Sequence, residues 1–476
     1  MPTLALALTL TLLCLPLLSN GEGCQPSNDD CATWYNWDKL QTCRPGHYFE
    51  PSSEGEVVDI VKAAKSELRP LKVVGAGHSF SSIALSCDER DGDLMSLDKL
   101  SSIVGRDGND VTVQAGIRLY ELNSQLEAMN LSLENLGATC EQSLAGATQT
   151  GTHGTGINIG SMSTQIVGLR LVDGNGDIIV ANATHNGELF EAARVGLGAF
   201  GIITEITLRA EPLFKLSLQQ LVVPLAYIFE NLSELVAKYE RFQWYWLPYD
   251  EKHAVMILRE RTDAPITGCW DAFLGSFLGE PRQFFVDDGR VGVTMNAPLQ
   301  NRSCVDVSYK ALCGSRQHYA SRNLYTEMEM FVPVEISSAA VKAFRSGAES
   351  RLRRFHNASV PLFTGVRYVR GDDITLSPQA GNRTNAVISM ILMGTSKTQT
   401  APLSQTTMFD KALEDLTSGQ FSGRPHWGKR NWATAADIRN AYGDAAVADF
   451  VRLSKLHDPH GLFRNAYLVD RLDFNL

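Results

Sequence analysis

The chain has 476 residues, of which 44% are hydrophobic and 20% are charged, a composition typical of globular proteins with a sizeable core. Its 43 basic and 53 acidic side chains give a formal net charge of −10, which argues against a protein that binds the phosphate backbone of nucleic acids. The length suggests about three domains, or two larger ones. The nine cysteines are an odd number and need an explanation.

An apolar run without a charged side chain extends over residues 3–19, and the first charged residue is Glu22. A run this short, followed by small and polar residues, predicts a secretory signal peptide rather than a membrane span. We place the signal at residues 1–22, with an uncleaved anchor as the alternative. Cleavage predicts a protein that is secreted or resides in the lumen of the secretory pathway, with no stable membrane span.

Removal of the signal would take away Cys14 and leave eight cysteines: Cys24, Cys31, Cys43, Cys87, Cys140, Cys269, Cys304 and Cys313. An even number in an oxidising compartment predicts disulfides, although the sequence leaves their connectivity open. We expect Cys304 and Cys313 to close a short loop. Since no two cysteines are spaced CxxC, zinc ribbons and thioredoxin-type motifs are excluded, and we predict no metal site.

Six Asn-x-Ser/Thr sequons occur in the chain, at Asn130, Asn182, Asn231, Asn301, Asn357 and Asn382. One or two such sequons are expected by chance. Six beside an export signal predict a secreted or lumenal glycoprotein.

Short strands alternate with amphipathic helices in the N-terminal half. Apolar residues at helical spacing predict helices over residues 54–66 and 119–129. Alternating or continuous apolar runs predict strands over residues 71–74, 110–114, 166–172, 178–180 and 202–208, with a hairpin turn at residues 173–177. Around Pro212 the composition changes, and aromatic residues become dense from Trp244 to Tyr249, so we place a domain boundary near residue 213.

The segment Gly196-Leu-Gly-Ala-Phe-Gly201 matches the GxGxxG pattern of dinucleotide-binding folds. That mechanism requires a strand before the glycines and a helix after them. Here a helix-like segment precedes the glycines and a strand-like segment follows. The order therefore predicts a tight helix-to-strand turn rather than a Rossmann site.

Two other glycine segments are better candidates for binding an anion. In residues 73–80, VVGAGHSF, a strand runs into a loop that contains Gly75 and Gly77, and residues 146–156, GATQTGTHGTG, are rich in small hydroxyl side chains. Bare backbone N–H groups in such loops can converge on an anion without obstruction by side chains. Together the two segments predict a diphosphate site formed by loop amides alone, with no helix N-terminus required.

The order of five motifs, VVGAGHSF, ENLGATCEQSLAGATQTGTHGTG, LGAFGIITEITL, RPHWGK and DPHGLF, resembles one family of flavoproteins. These are the aldonolactone oxidoreductases of the vanillyl-alcohol oxidase (PCMH-type) group, which includes L-gulonolactone, D-arabinono-lactone and alditol oxidases. The resemblance covers residues 34–472. It implies an α+β fold with a PCMH-type FAD-binding domain at residues 34–213 and an α+β substrate (cap) domain at residues 214–476, whose C-terminal segment returns to cover the flavin.

The resemblance implies FAD as the cofactor, held by three stretches. The first is the glycine loop around the pyrophosphate, whose histidine can carry the flavin covalently in the family. His78 stands at that position, so a covalent link through His78 is implied, with a hydrogen-bonding loop histidine as the alternative. Neutral imidazole is a competent nucleophile for such a link. The residues implied to bind FAD are Gly75, Ala76, Gly77, His78 and Ser79 in the first stretch, Gly137, Ala138, Thr139, Gln142, Ser143, Gly146, Thr150, Gly151 and His153 in the second, and Gly201 and Ile202 in the third.

Gly137 also bears on the electron acceptor. Oxidases of the family resemble this sequence in having glycine at that position, whereas dehydrogenase relatives carry a bulkier residue. A missing Cβ beside the flavin leaves dioxygen a path to the reduced ring. The resemblance therefore implies dioxygen as the acceptor and hydrogen peroxide as a product.

For substrate chemistry the family uses a Glu-x-Arg pair on one strand and the lysine of an HWxK motif. Residues i and i+2 of a strand share a face, so both members of the pair point into one pocket. Arg367 matches the arginine, Lys429 matches the lysine, and Gly365 stands where the family has glutamate. Arg367 and Lys429 are expected to stabilise negative charge on the substrate oxygen and the reduced flavin.

Gly365 has two implied consequences. The pocket beside Arg367 is expected to be larger, and proton removal falls to His426, to a bound water or to a carboxylate elsewhere, such as Asp372 or Asp373.

The function implied by the resemblance is a secreted FAD-dependent oxidase of an aldono-1,4-lactone of the L-gulono or D-arabinono type. The product would be ascorbate-like. The alternatives are an oxidase of alditols or free sugars on the same scaffold, and a flavin-binding glycoprotein without catalysis.

Overall fold

A computed structural model describes residues 33–87, 92–246, 252–269, 281–287, 290–295, 301–313, 324–352, 361–393, 415–417 and 421–474. The predicted signal peptide, Cys24, Cys31, Tyr249 and the sequon at Asn357 lie outside these ranges. Within them, we find no helix with the length and apolar character that a bilayer crossing requires.

The described chain contains many short strands and ten α-helices in an α+β arrangement. The strands are β1 Trp34–Tyr35, β2 Thr42–Cys43, β3 Tyr48–Phe49, β4 Leu71–Val74, β5 Asp93–Ser96, β6 Ile103–Asp107, β7 Asp110–Gln114, β8 Leu131–Ser132, β9 Ile166–Val172, β10 Ile178–Asn182, β11 Ile202–Arg209, β12 Glu211–Pro212, β13 Lys215–Pro224, β14 Arg241–Trp246, β15 His253–Arg261, β16 Pro281–Asp287, β17 Arg290–Met295, β18 Arg302–Val307, β19 Tyr325–Pro333, β20 Pro361–Val369, β21 Asn385–Met393 and β22 Arg424–Pro425. The helices are α1 Glu54–Glu67, α2 Leu119–Ala128, α3 Leu144–Gln149, α4 Gly187–Ala193, α5 Leu225–Lys238, α6 Ser308–Leu312, α7 Ser337–Leu352, α8 Ala435–Tyr442, α9 Asp444–His457 and α10 Ala466–Leu472.

The N-terminal half contains a parallel sheet in the order β3-β5-β4 and an antiparallel sheet in the order β10-β9-β11-β7-β6. Helix α1 begins after Ser53, whose hydroxyl accepts a hydrogen bond from the backbone N–H of Glu56, and it buries Val57 and Val61. The predicted β9–β10 hairpin is confirmed, with Ile178 opposite Val172. All the helices and strands that the sequence predicts in this half are present.

An eight-stranded antiparallel sheet, in the order β18-β13-β15-β14-β20-β21-β19-β22, dominates the second half. One face packs Trp244 and Met330 into an apolar core together with residues of α5 and α7. Because successive side chains of a strand point to opposite faces, Tyr245 and Glu329 lie on the other face. That second face is the one that contributes to the site described below.

The C-terminal helices pack against the N-terminal half. Buried residues of all three, among them Ile438, Phe450 and Leu468, belong to the same apolar core as α1 and β4. The backbone N–H of Leu71 donates to the carbonyl of Leu462, and the Asn465 side chain donates to three carbonyls between residues 82 and 85. The chain end therefore supports the strand that leads into the first glycine loop.

The structure corrects two sequence predictions. Residues 144–149 form the short helix α3 rather than a loop, so the second glycine segment is not loop throughout. Cys304 is bonded to Cys269, and Cys313 to Cys140, so Cys304 and Cys313 do not pair with each other. A further bridge joins Cys43 and Cys87.

These pairings follow from local geometry. Thr267 and Gly268 donate backbone hydrogen bonds to the Val305 carbonyl, so this segment runs beside β18 and brings Cys269 to Cys304. Cys313, at the end of α6, reaches Cys140 with a Cα–Cα distance of 5.8 Å. The Cys140–Cys313 bridge therefore ties the stretch just before the second glycine segment to the later half of the chain.

Candidate active site

Two adjoining cavities lie where the glycine segments meet the later part of the chain. The first, of about 1170 Å³, is lined by these predicted cofactor residues: Gly75, Ala76, Gly77, His78, Ser79, Gln142, Ser143, Gly146, Thr150, Gly201 and Ile202. The second, of about 560 Å³, adds Gly137, Ala138, Thr139 and His153, together with Arg367, His426 and Lys429. Gly151 lines neither cavity; it has φ of +75°, and a Cβ there would lie 3.1 Å from Pro378.

Close backbone packing holds the first glycine loop in place. The N–H of Trp37 donates to the carbonyl of Gly77 at 2.8 Å, and the Asn36 side chain donates to the carbonyl of Ser79 at 2.9 Å. A Cβ at Gly75 would lie 2.0 Å from the Ser143 hydroxyl oxygen. Only glycine allows the two segments to approach this closely, and bare backbone therefore lines the cavity.

His78 is at the junction of the two cavities, which it lines together with Ser79, Gln142 and Thr150. Its ring stacks on Trp37 with a centroid distance of 5.6 Å. Burial, with the nearby charges of Arg118 and Lys429, lowers the pKa of His78 to about 3. The imidazole is therefore neutral at physiological pH, the state that nucleophilic attack requires.

Sequence reasoning missed Lys72, a buried lysine in the wall of the first cavity. Its ammonium donates to the carbonyls of Gly198 at 3.3 Å and Phe463 at 3.1 Å. Burial lowers its pKa to about 8, against the opposing charge of Asp458. Lys72 thus connects the 196–201 turn to the chain end, and its signal in the sequence is one lysine in an otherwise apolar strand.

The 196–201 turn follows α4 and precedes β11, which confirms the predicted helix-to-strand order. Gly201 has φ of +150°, and a Cβ there would lie 2.4 Å from the Val172 carbonyl oxygen. The same turn contributes Leu197, Gly198 and Gly201 to the first cavity.

Two buried carboxylates in the second cavity were also missed. Glu327 and Glu329 are two residues apart on β19 and therefore share a face. The Lys429 ammonium forms an ion pair and hydrogen bond with Glu327, and Nη1 of Arg367 lies 3.8 Å from Oε1 of Glu329. Two glutamates inside an apolar strand were the available signal in the sequence.

The surroundings shift the pKa values of the two carboxylates in opposite directions. Burial raises the pKa of Glu327, although Lys429 opposes this shift. For Glu329, burial acts in the same direction, but the charge of Lys429 and the neighbouring His153 hold its pKa well below the usual range. Glu329 is therefore ionised at neutral pH.

The proposed alternatives Asp372 and Asp373 are corrected by the structure, because neither lines the two cavities. Asp372 accepts hydrogen bonds from the Ser377 hydroxyl at 2.7 Å and from the N–H of Ile374, within its own turn. The Asp373 side chain is 67% exposed and pairs with Arg194. The carboxylates beside Arg367 come instead from β19.

The pocket beside Arg367 is not enlarged by Gly365, which is a second correction. Across the sheet, Glu329 is opposite Ser389, Ser389 is opposite Gly365, and Gly365 is opposite Tyr245. A Cβ at Gly365 would lie 2.7 Å from the Ser389 hydroxyl oxygen and 3.1 Å from the Tyr245 ring. Tyr245 and Ser389 therefore occupy the space that a glutamate at residue 365 would need, and Tyr245 hydrogen-bonds to Arg367.

Two histidines flank Glu329 with different proton arrangements. His426 Nδ1 accepts a hydrogen bond from the N–H of Gly428 at 3.0 Å, so the proton of its neutral ring is on Nε2. His153 Nδ1 lies 2.9 Å from the carbonyl oxygen of Gly154, which only accepts, so its neutral ring has no proton on Nε2. The Nε2 atoms of His153 and His426 are 3.6 and 4.0 Å from Oε2 of Glu329.

Comparison with known proteins agrees with this geometry. Residues 45–182 match the FAD binding domain family, and residues 206–471 match the D-arabinono-1,4-lactone oxidase family, more than half of the chain. The chain belongs to the D-arabinono-1,4-lactone oxidase family. The predicted membership among FAD-binding aldonolactone oxidoreductases is therefore confirmed.

The relatives of this lactone oxidase family member match it over most of their length. L-gulonolactone oxidase of Mus musculus is 29% identical, over 91% of this chain and 96% of the mouse protein. L-gulono-1,4-lactone dehydrogenase of Mycobacterium tuberculosis strain H37Rv is 31% identical, over 91% of this chain and 97% of that protein. These relatives include both an oxidase and a dehydrogenase.

The fold is also found in cholesterol oxidase from B. sterolicum, which has a TM-score of 0.74 and 16% identity over 92% of this chain and 96% of that one. This likeness confirms the α+β two-domain PCMH-type fold. The domain boundaries near residue 213 and the assignments of individual site residues stay predictions.

The first cavity fits FAD by its construction. Part of its wall is backbone at positions where a side chain has no room, namely Gly75, Gly201 and Gly116. A Cβ at Gly116 would lie 1.9 Å from the Leu97 carbonyl oxygen. Such surfaces present N–H groups to a diphosphate. His78 then stands where the cavity opens toward the carboxylates and cations of the second one.

We expect Gly365→Ala to lower the free energy of unfolding by about 1–3 kcal/mol, because the added methyl meets Ser389 and Tyr245 in a packed sheet. Urea denaturation of the wild type, Gly365→Ala, Ser389→Ala and the double variant forms a double-mutant cycle. Ser389→Ala removes the nearest obstructing atom, so the double variant should be more stable than the two single losses predict. A Gly365→Ala protein as stable as the wild type would contradict this packing.

Proposed function

We propose that this chain is a secreted FAD-dependent oxidase of an aldono-1,4-lactone of the L-gulono or D-arabinono type, with dioxygen as acceptor. The observation that carries the proposal is the buried set of Arg367, Lys429, Glu327 and Glu329 in the cavity next to the glycine-lined one. A hydroxylated, uncharged ring needs both donors and acceptors around it. This set supplies both and carries no net charge, which favours a neutral sugar derivative over an anionic one.

Oxidation of a carbinol removes a hydride from carbon and a proton from the hydroxyl, and FAD, when bound, accepts the hydride. The protein must bind the lactone, orient its carbinol and stabilise negative charge on the oxygen as the proton leaves. Arg367 is suited to this task because Tyr245, Glu329 and Glu327 raise its pKa against the effect of burial, so it stays charged. A fixed cation in a water-poor site stabilises developing charge more strongly than one in water.

Lys429 has a more restricted role than the sequence suggested. Its ammonium is paired with Glu327 and lies 4.9 Å from the centre of the Phe80 ring. The Phe80 backbone N–H donates to the carbonyl of Gly428, so this segment is fixed beside the first glycine loop. We infer that Lys429 positions a substrate oxygen while Glu327 balances its charge.

Gly137 supports dioxygen as the acceptor. It lines the second cavity, and a Cβ there would lie 2.6 Å from Cγ2 of Thr152, so no larger side chain fits without movement. Thr152 therefore fills the space that a Cβ would need, and the support for dioxygen comes from the resemblance to oxidases that have glycine at this position. Because one of the relatives is a dehydrogenase, the electron acceptor of this chain has to be measured.

The substrate class is tested with purified protein in air, offered L-gulono-1,4-lactone, D-arabinono-1,4-lactone, alditols and free sugars. We expect turnover of a lactone with one hydrogen peroxide formed per product, since dioxygen takes both electrons. Turnover of alditols with no lactone activity would favour the alditol oxidase alternative. Lactone turnover with an artificial acceptor but without peroxide would identify a dehydrogenase.

We also propose that FAD is covalently attached through His78. The lowered pKa of His78, the stack on Trp37 and the position at the junction of the cavities support this attachment. Acid precipitation should leave the yellow colour with the protein, and His78→Ala should release it into the supernatant because the proposed nucleophile is removed. Complete release of flavin from the wild type would show that the cofactor is held without a covalent bond.

Secretion is supported by the N-terminal apolar run and by the sequons. Asn130, Asn301 and Asn382 are exposed in the structure, as a glycan requires, and three disulfides are present among the described residues. Treatment of the protein from its natural source with an N-glycosidase should lower its mass. An unchanged mass together with an intact N-terminus would contradict export.

A further inference from the structure

We propose that the pair formed by His153 Nε2 and Glu329 Oε2 accepts the proton that leaves the substrate hydroxyl, and so replaces the carboxylate that is absent at Gly365. This inference rests on the proposed function, because the proton comes from the carbinol that is oxidised. It assigns the catalytic base, which sequence reasoning left open between His426, a bound water and other carboxylates.

The register of the sheet places Glu329 in the same row as the missing glutamate. Glu329, Ser389 and Gly365 are directly opposite one another on β19, β21 and β20, and opposed residues in antiparallel strands point to the same face. Two strand spacings, roughly 9.5 Å, separate the two positions. The longer reach from β19 still brings Oε1 of Glu329 to 3.8 Å from Nη1 of Arg367.

The tautomers distinguish the two histidines. His426 uses Nδ1 to accept the Gly428 N–H, so its neutral ring has a proton on Nε2 and no free lone pair. His153 donates from Nδ1 to the Gly154 carbonyl, and its Nε2, which has no hydrogen-bond partner among the described residues, lies 3.6 Å from Oε2 of Glu329. His153 can therefore exchange a proton at Nε2 and keep its Nδ1 hydrogen bond, whereas the neutral ring of His426 would have to give up the Gly428 hydrogen bond to accept one.

Two buried atoms of the pair lack partners among the described residues. Nε2 of His153 and Oε1 of Glu329 have no hydrogen-bond partner among the described residues, and both residues are at most 2% exposed, so water does not reach them freely. An unsatisfied buried acceptor is costly and is retained where function needs it. An incoming proton between Nε2 and Oε2, which are 3.6 Å apart, would give the buried Nε2 a partner.

The charged groups around the pair come from three segments. The groups that face His153 and Glu329 are His426, Arg367, Lys429 and Glu327, from the C-terminal segment, β20 and β19. Burial lowers the pKa of His426 to about 3, so that ring is neutral, and Arg367 and Lys429 offset the two carboxylates in formal charge. A proton on the pair then adds one positive charge to the site.

Atoms and electrons are conserved in the proposed step. The O–H and C–H bonds of the carbinol break and the carbonyl forms; the proton goes to the His153–Glu329 pair, and the hydride, with both electrons of the C–H bond, goes to FAD. The pair returns the proton to solvent before the next turnover. No further reactant is required.

A metal ion is the alternative to a proton between His153 and Glu329. The ligand atoms of His153, Glu329 and His426 all lie within 4.8 Å of one another, a set that could hold a divalent cation. The Arg367 guanidinium, 3.8 Å from Glu329, already supplies positive charge to that carboxylate. The arrangement therefore favours a proton, and metal content is an arm of the test.

The test is anaerobic rapid mixing of the FAD-loaded enzyme with its lactone, recording flavin reduction from pH 5 to pH 9 in the wild type and in His153→Asn. Asparagine keeps an N–H near the Gly154 carbonyl and removes the Nε2 lone pair. We expect the reduction rate to fall by about 10²–10³-fold with little change in lactone affinity or flavin spectrum. The wild-type rate should rise with pH as the pair loses its proton, and this dependence should vanish in the variant.

Two further histidine-to-asparagine variants test whether the loss of rate is specific to His153. His426→Asn should cost much less than His153→Asn, and His460→Asn, at an exposed position, should leave reduction unchanged. His153→Gln is the second variant, with the same expectation, if His153→Asn fails to retain FAD.

Three results would overturn the proposal. The first is a His153 variant that reduces its flavin within about threefold of the wild-type rate and keeps the pH dependence. The second is a stoichiometric metal whose chelation abolishes flavin reduction. The third is a wild type that no lactone or polyol reduces, which refutes the proposed function itself and is recognised before any variant is compared.

Discussion

The structure depends on a buried cluster of four charges, in which Lys429 pairs with Glu327 and Arg367 approaches Glu329. Burying an unpaired charge is costly, and removing one partner of such a pair typically costs about 3–5 kcal/mol, so exchange of any one of the four is expected to lower the free energy of unfolding. The cluster joins β19, β20 and the segment that carries Lys429, and thereby fixes the wall opposite His78. The ion pairs of this cluster thus hold the strands in place as well as supplying charges to the cavity.

An acidic chain that binds an anionic dinucleotide needs a local source of attraction. The net charge of −10 opposes such binding at long range, so the backbone around Gly75 and Ser143 must supply it at contact distance. Lys72 adds a buried ammonium in the same wall, although its hydrogen bonds go to carbonyls of the neighbouring turn. Arg367 and Lys429, the cations of the second cavity, are paired with carboxylates instead.

Local patterns in the sequence predicted much of the framework. The β9–β10 hairpin, the helix-to-strand turn at residues 196–201 and the glycine loop all depend on residues close in the chain. Glu329 could not be found this way, because its neighbours across the sheet come from β21 and β20, dozens of residues later. The same is true of Tyr245, whose ring fills the space at Gly365, and of the Cys140–Cys313 bridge, which spans 173 residues. The absence of glutamate at Gly365 is visible in the sequence, but the register of the sheet is needed to see that Glu329 lies in the same row.

We propose that Glu329 is the working carboxylate, in place of the glutamate that is absent at Gly365. The rate of anaerobic flavin reduction by the lactone tests this directly when Glu329→Gln is compared with Glu327→Gln, two isosteric changes on one strand. We expect Glu329→Gln to lose proton acceptance and its pH dependence, whereas Glu327→Gln should weaken lactone binding through Lys429 and keep the pH dependence. Equal rates and pH profiles in the wild type and Glu329→Gln would contradict it.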